Sequence, residues 1–274
     1  MCAGVLRGSG KQGGSLSITD MKNTSFSLEG RTALVTGSSR GIGRAIAIGL
    51  AQCGARLVLH GIRRSDNVQG VIDEISALGG KASFIAGDLS GDGAGAALAK
   101  RVLEEVGTVD VVVLNASIQI KKDWKEHTAE DSALQMRTNF QSSLELLQTL
   151  VPGMEERGWG RILAVGSVQQ SNPHPMMLPY AASKCAQMSL VTSLAKELAP
   201  SGITVNNLAP GVILTDRNTE ALSNAEYEKQ VLEKIPVRFF GESEDCVGIA
   251  QLLCSDAGRY ITGQNIYADG GMSL

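Results

Sequence analysis

The sequence predicts an α/β fold: one doubly wound parallel sheet of about seven strands with helices on both faces. Three observations predict it. Short apolar runs alternate with longer amphipathic stretches along almost the whole chain. The runs are rich in Val, Ile and Leu and mostly lack polar alternation, as strands do when both sheet faces are covered. A glycine-rich turn joins the first run to the first helical stretch, at the point where such sheets hold their ligands.

The strand runs fall at 32–36, 55–60, 82–87, 109–115, 160–166, 203–209 and 264–269. Helical stretches lie between them, near 42–53, 65–78, 92–106, 130–156, 180–199, 218–234 and 243–254. No proline- or serine-rich linker, charge block or internal repeat interrupts the series, so residues 28–274 are expected to form one domain. Residues 1–27 are rich in glycine and serine and lack periodicity. They read as a flexible tail, or as an over-long start with Met21 as the alternative first residue. They lack the apolar core of a secretory signal. Extra apolar positions on two helices, Leu134, Phe140, Leu144, Leu147 and Val151 on one and Met188, Val191 and Leu198 on the other, are read as core or as contacts between subunits.

The 274 residues carry 25 basic and 28 acidic side chains, a formal charge of -3. That balance argues against nucleic acid and anionic membranes as general partners. No run of about eighteen apolar residues, the length a membrane span requires, is found. Cys2, Cys53, Cys185, Cys246 and Cys254 are scattered, without pairing or metal-ligand spacing. Such a set fits reduced thiols in a cytoplasmic compartment, and no metal is expected.

The first turn reads Thr36-Gly37-Ser38-Ser39-Arg40-Gly41-Ile42-Gly43. Glycines let backbone N–H groups approach a pyrophosphate, and the helix that follows turns its positive end toward it. Structural glycines at a strand-to-helix turn are the plain alternative. The second strand ends at Gly61, with no carboxylate to accept ribose hydroxyls, and Arg63 and Arg64 follow. Together with Arg40 they suit a 2′-phosphate, so NADP is favoured over NAD. The third strand runs into Asp88 and Leu89, where the acid either reads adenine or caps the next helix. Tyr180 and Lys184 stand at i and i+4, on one helix face, after a strand that ends at Ser167. A phenol beside an ammonium exchanges protons with a carbonyl oxygen more readily than a free phenol does.

In these residues the chain resembles the short-chain dehydrogenase/reductases of the compact, single-domain branch, which share the Rossmann-type sheet. The likeness spans about residues 28–273. It rests on Thr36-Gly37, Gly41-Ile42-Gly43, Asp88, Asn115-Ala116, Asn139, Ser167, Tyr180 with Lys184, Pro210-Gly211, Thr262-Gly263-Gln264 and Asp269-Gly270-Gly271. The resemblance implies an NADP(H)-dependent carbonyl reductase or alcohol dehydrogenase. Tyr180 would be the general acid/base. Lys184 would bind the nicotinamide ribose and lower the Tyr180 pKa. Ser167 would hold the substrate oxygen, and Asn139 would place a water in a proton relay. Asn115, Ala116 and Ser117 would border the cofactor, and Ile213 and Thr215 would hold the carboxamide.

Two departures stand out. Leu114 and Ser117 replace the family's usual asparagine and glycine around Asn115-Ala116, so a local adjustment with an intact site is expected. The acid that commonly ends strand two is missing. The substrate pocket is implied to lie between the Val168–Pro179 segment and the segment after Thr215, with Gln119, Gln169, His174 and Arg217 as candidate contacts. Asn218, Tyr227, Val237, Phe239 and Phe240 belong to the second wall. A medium-sized small molecule fits; sugar-like polyols, 3-oxoacyl thioesters, cyclic ketones and diketones stay open. A homotetramer is expected, with a dimer second. The competing readings are an NAD-linked polyol, sugar or 3-oxoacyl dehydrogenase and a non-catalytic NADP-binding sensor.

Overall fold

A computed structural model describes residues 24–216, 218 and 223–274. Seven strands form one parallel sheet in the order β3-β2-β1-β4-β5-β6-β7. They are β1 (Thr32–Val35), β2 (Arg56–Gly61), β3 (Ala82–Ala86), β4 (Val111–Leu114), β5 (Gly160–Val165), β6 (Ile203–Pro210) and β7 (Asn265–Ala268). The described helices of eight residues or more are α1 (Gly41–Gln52), α2 (Asp66–Ala77), α3 (Ala94–Val106), α4 (Ala129–Met136), α5 (Ser142–Arg157), α6 (Leu178–Leu198), α7 (Ala225–Glu233) and α8 (Val247–Cys254).

The absence of polar alternation has a direct cause. Successive residues of a strand point to opposite faces. In β1, Ala33 and Val35 enter a core layer with α1, α2 and α8, whereas Leu34 enters a second layer with α3, α5 and α6. β2, β4 and β5 divide in the same way. Both faces are dry, so both sets of positions are apolar. Most of the additional apolar helix positions also serve this core. Leu147, Val151, Val191 and Leu198 are buried in the second layer, and Phe140, Leu144 and Met188 pack against it.

The helix expected over 130–156 is divided. Residues Arg137–Gln141 form a π turn between α4 and α5. Asn139, within it, is fully buried and uses its side chain on a distant backbone segment. Such wide turns aim a side chain that a regular helix would direct elsewhere. The helix expected over 218–234 is described from Ala225, and that over 243–254 opens with a 3₁₀ turn, Ser243–Cys246.

The strand order reverses between β1 and β4, so the connections after these two strands diverge and leave a crevice at their carboxyl ends. The opposite edge is closed by charge. Arg161 of β5 is buried, reaches Asp256 at 2.8 Å, and packs with Arg31 on the Trp159 ring at 4.3 and 3.8 Å. Among the described residues no helix is long and apolar enough to cross a membrane.

Candidate active site

A cleft of about 1130 Å³ occupies that crevice, lined by the segments that follow β1 to β6. The glycine turn forms one end, and three glycines are needed there for different reasons. Gly37 has φ 65° and its missing Cβ would stand 3.0 Å from Ala116 Cα. Gly41 has φ 55°, beside Thr215. A Cβ on Gly43 would collide with Asn115 Nδ2 and the Gly37 carbonyl. The turn is sewn to its neighbours. Thr36 Oγ1 accepts the N–H groups of Asn115 (2.9 Å) and Ala116 (3.0 Å). Asn115 Nδ2 donates to the Thr36 and Gly37 carbonyls at 2.9 and 3.0 Å.

His60, at the end of β2, completes this stitching. Its Nδ1 accepts the Gly37 N–H at 3.2 Å, and its Nε2 lies 3.0 Å from the Gly87 carbonyl at the end of β3. These partners require a neutral ring with the proton on Nε2. Burial, the largest influence, pushes the His60 pKa down to about 4. Ser38 braces the same strand end, exchanging backbone and hydroxyl bonds with His60. Sequence reasoning singles out neither residue; the one local signal is a histidine ending an otherwise apolar strand.

The cradle suits a dinucleotide. α1 begins at Gly41 with no side chain capping it, so its first N–H groups are available to an anion. Gly37, Ser39, Arg40, Gly41, Ile42, Gly43 and Gly61 all line the cleft. Arg40 reaches Asp216 at 3.2 Å, and both side chains are largely exposed. Arg63 and Arg64 stand outside the lining on the exposed turn beyond β2, where Arg64 donates to Gln69 at 2.8 Å. Asp88 and Leu89 line the cleft. Asp88 does not cap α3, whose N-cap is Gly93; it accepts the Ser90 N–H at 2.9 Å.

The other wall carries the chemistry. Ser167, at the end of β5, and Tyr180 and Lys184, one turn apart on α6, line the cleft together. All three are buried. Lys184 Nζ donates to the Val165 carbonyl at 2.7 Å and to Gln187 Oε1 at 3.1 Å, and lies 5.8 Å from the centre of the Tyr180 ring. These acceptors offset the cost of enclosing an ammonium group. Ser167 Oγ accepts the Gln169 N–H at 3.2 Å, while Gln170 Oε1 accepts the Ser167 N–H at 2.9 Å. Asn139 meets Ile118 rather than Lys184: Oδ1 accepts its N–H at 2.8 Å and Nδ2 donates to its carbonyl at 2.9 Å. Nδ2 also reaches Ser183 Oγ at 2.9 Å, and Ser183 in turn donates to the Tyr180 carbonyl at 2.7 Å.

The two departures are accommodated. Arg238 is the single described non-glycine residue with positive φ, so Ser117 occupies a backbone conformation open to any L-residue. Leu114 closes β4 and packs in the second core layer. Ser117 and Ala116 line the cleft, as do Pro210, Gly211, Ile213 and Thr215. Gly211 passes so close to Asp269 that a Cβ on it would stand 2.7 Å from the Asp269 Cα, so no side chain fits.

At the substrate end the lining includes Gln119, Gln169, His174, Asn218 and Tyr227. Arg217 lies outside the described residues. Val237, Phe239 and Phe240 are not in the lining, and Val237 and Phe239 are exposed to solvent. Lys121, Gln230, Lys234 and Met272 also line it and are absent from the sequence-based expectations. Lys121 and Met272 come from separate segments, whereas Gln230 and Lys234 stand four positions apart at the end of α7. His174 accepts the Met176 N–H through Nδ1 at 3.1 Å, and its own N–H donates to Gln169 Oε1 at 2.6 Å. Among the described residues no group of three His, Cys, Asp or Glu side chains is arranged to hold a metal ion.

A parallel sheet with a glycine cradle at its switch point and a Ser–Tyr–Lys cluster facing it defines a dinucleotide-dependent oxidoreductase. The comparisons agree. A family model described as "Enoyl-(Acyl carrier protein) reductase" matches residues 37–273. The 3-oxoacyl-[acyl-carrier-protein] reductase FabG of Staphylococcus epidermidis is 36% identical over 247 residues, 89% of this chain and 99% of that protein. The 7alpha-hydroxysteroid dehydrogenase of Escherichia coli is 36% identical over 244 residues, 89% of this chain and 94% of its own. A crystal structure of a 3-oxoacyl (acyl-carrier-protein) reductase from Agrobacterium tumefaciens with NADP bound superposes with TM-score 0.87 at 40% identity, covering 92% of this chain and 98% of that one. The chain belongs to the short-chain dehydrogenase/reductase family. It is an NAD(P)-dependent oxidoreductase of the carbonyl/alcohol type.

Proposed function

We propose that the protein is an NADP(H)-dependent reductase of a small-molecule carbonyl compound, with the secondary alcohol as product. The observation that carries this reading is the convergence of Ser167, Tyr180 and Lys184 on the cleft that the glycine turn opens. The bound nicotinamide supplies or accepts the hydride. The protein's part is orientation and charge.

The uncapped start of α1 and the Gly37–Gly43 turn receive the pyrophosphate, and Asp88 and Leu89 border the adenine. Arg40, which lines the cleft, reads the 2′-phosphate, with Arg63 and Arg64 as outer charges. Asn115, Ala116, Ser117, Pro210, Gly211, Ile213 and Thr215 frame the nicotinamide end. Ser167 Oγ donates to the carbonyl oxygen and stabilises the charge that develops there. Tyr180 gives its phenolic proton to that oxygen as the carbon receives hydride; in the reverse direction it takes the proton back. Lys184 keeps positive charge beside the phenol. Asn139 is a positioning residue. It fixes the Ile118 peptide and, through Ser183, the turn of α6 that carries Tyr180.

Residues 28–274 are read as one catalytic unit, a view supported by the extent of the family match and by Leu28, which is buried in the first core layer. A homotetramer, or failing that a dimer, is the proposed assembly. The half-exposed outermost strand β7 and the fully exposed Tyr260 and Leu274 support it. A reducing compartment, the cytoplasm, fits the unpaired Cys53, Cys185, Cys246 and Cys254.

The test is coenzyme oxidation, followed by absorbance, over ketones, diketones, keto-sugars and 3-oxoesters with NADPH and NADH. Tyr180→Phe is expected to lower kcat by roughly 10²–10⁴-fold while NADPH still binds. A Tyr180→Phe enzyme that keeps most of its kcat removes the assigned acid/base. Tight NADPH binding without turnover of any carbonyl or alcohol favours a sensor instead.

A further inference from the structure

The substrate end of the cleft holds a set of charges that the reductase reading leaves unexplained. Lys121 enters from the segment after β4, His174 from the wall between β5 and α6, and Lys234 from the residue that ends α7. Lys121 Nζ lies 5.0 Å from the centre of the Tyr227 ring, which lines the same space. The Lys122 N–H donates to the Met176 carbonyl at 3.0 Å and so ties the Lys121 segment to the His174 wall. The Lys122 ammonium is turned elsewhere, to Asp131 at 2.6 Å, and does not line the cleft.

The acids of the lining stand on the nucleotide side. Asp216 is paired with Arg40, and Asp88 follows β3. Among the described residues Lys121 and Lys234 form no ion pair. His174 presents a neutral ring with Nδ1 already occupied, which leaves its Nε2–H as a donor. Burial first, then the positive charges of Lys121 and Lys234, hold the His174 pKa below its ordinary value. Two ammonium groups and a ring N–H therefore border one space, and among the described residues no anion of the lining balances them. Like charges brought together raise each other's energy, and a bound anion reverses that effect.

We propose that the substrate is a small oxo acid, whose carboxylate is received by Lys121, Lys234 and the His174 ring while its carbonyl meets Ser167 and Tyr180, an assignment that rests on the reductase reading. The Gln119, Gln169 and Gln230 amides in the same lining suit hydroxyl groups on the chain between the two ends. In the forward step the carbonyl carbon gains the hydride of NADPH and its oxygen gains the Tyr180 proton, which solvent replaces. Oxo acid, NADPH and one proton thus become hydroxy acid and NADP.

The test compares kcat/KM for a series of oxo acids with their methyl esters and primary amides, using NADPH. Wild type, Lys121→Gln, Lys234→Gln and the double variant are measured, with NADPH binding as the check on folding. The wild type is expected to prefer the acid. Each single change is expected to lower the acid-to-ester ratio by about fivefold, expressed in KM, and high salt to compress the difference. Esters or amides reduced as well as the acid, or a ratio unchanged in the double variant, overturn the proposal. In all these outcomes the oxidoreductase reading stands; if neither charged nor neutral carbonyls react, that reading falls first and the anion site with it.

Discussion

Replacing His60 by Gln tests how the cofactor turn is held. In the folded protein the ring must stay neutral, because Nδ1 accepts the Gly37 N–H and Nε2 faces the Gly87 carbonyl. Its pKa falls from the ordinary histidine value of 6.5 to about 4. The unfolded chain therefore binds the proton at higher pH than the folded one. The resulting stability is fully present above pH 6.5, declines as the pH falls toward 4, and is gone below it. Between pH 8 and pH 5 the change amounts to about 2 kcal/mol. At pH 8, His60→Gln is expected to be less stable by about 1–3 kcal/mol, since the Gly37 N–H loses its acceptor. At pH 5 most of that difference disappears, because the wild type has lost its own contribution. Urea unfolding at fixed protein concentration, across this pH range, reads the effect directly. Every other group is common to the two proteins, so its contribution cancels in the difference. NADPH affinity is expected to weaken toward pH 5 more in the wild type than in the variant. Parallel stability curves for the two proteins refute the assignment of His60 as the neutral clasp of the turn.

Arg40→Ala is expected to weaken NADPH about tenfold more than NADH, the scale of a charge-assisted hydrogen bond at an exposed site. The Arg63→Ala and Arg64→Ala changes act in the same direction but less; fluorescence titration with both coenzymes measures the ratio, and equal losses for the two coenzymes defeat the 2′-phosphate role. Gly43→Ala sets a methyl group against Asn115 Nδ2 and the Gly37 carbonyl. It should lower stability by about 1–3 kcal/mol and weaken either coenzyme, and an unchanged Tm with normal NADPH binding contradicts the close approach.

The sequence by itself determined the elements and the chemistry that depends on near neighbours. Unbroken apolar runs such as Val111–Leu114 carry the sheet, because each residue of a doubly covered strand meets a dry layer. The Gly37–Gly43 turn and the Tyr180–Lys184 pair are legible because a tight turn and an i, i+4 spacing are properties of a few consecutive residues. The π turn at Arg137–Gln141 has no such local signature. Within it Asn139 bonds the Ile118 peptide, a partner twenty-one positions away that the sequence of the helix does not display.

Tertiary structure alone decided which charges face the cleft. Arg40, Arg63 and Arg64 are equivalent on paper; only Arg40 lines the cleft, because the turn beyond β2 carries the other two outward. His60 reads as one more strand residue until the register of β1, β2 and β3 brings Gly37 and Gly87 to its two nitrogens. Lys121 and Lys234 are more than a hundred positions apart and converge only when the β4 and β6 connections fold over the same carboxyl edge. Periodicity and turn chemistry are local properties, so the sequence displays them. Partners contributed by separate connections depend on strand order and packing, which only the assembled sheet sets.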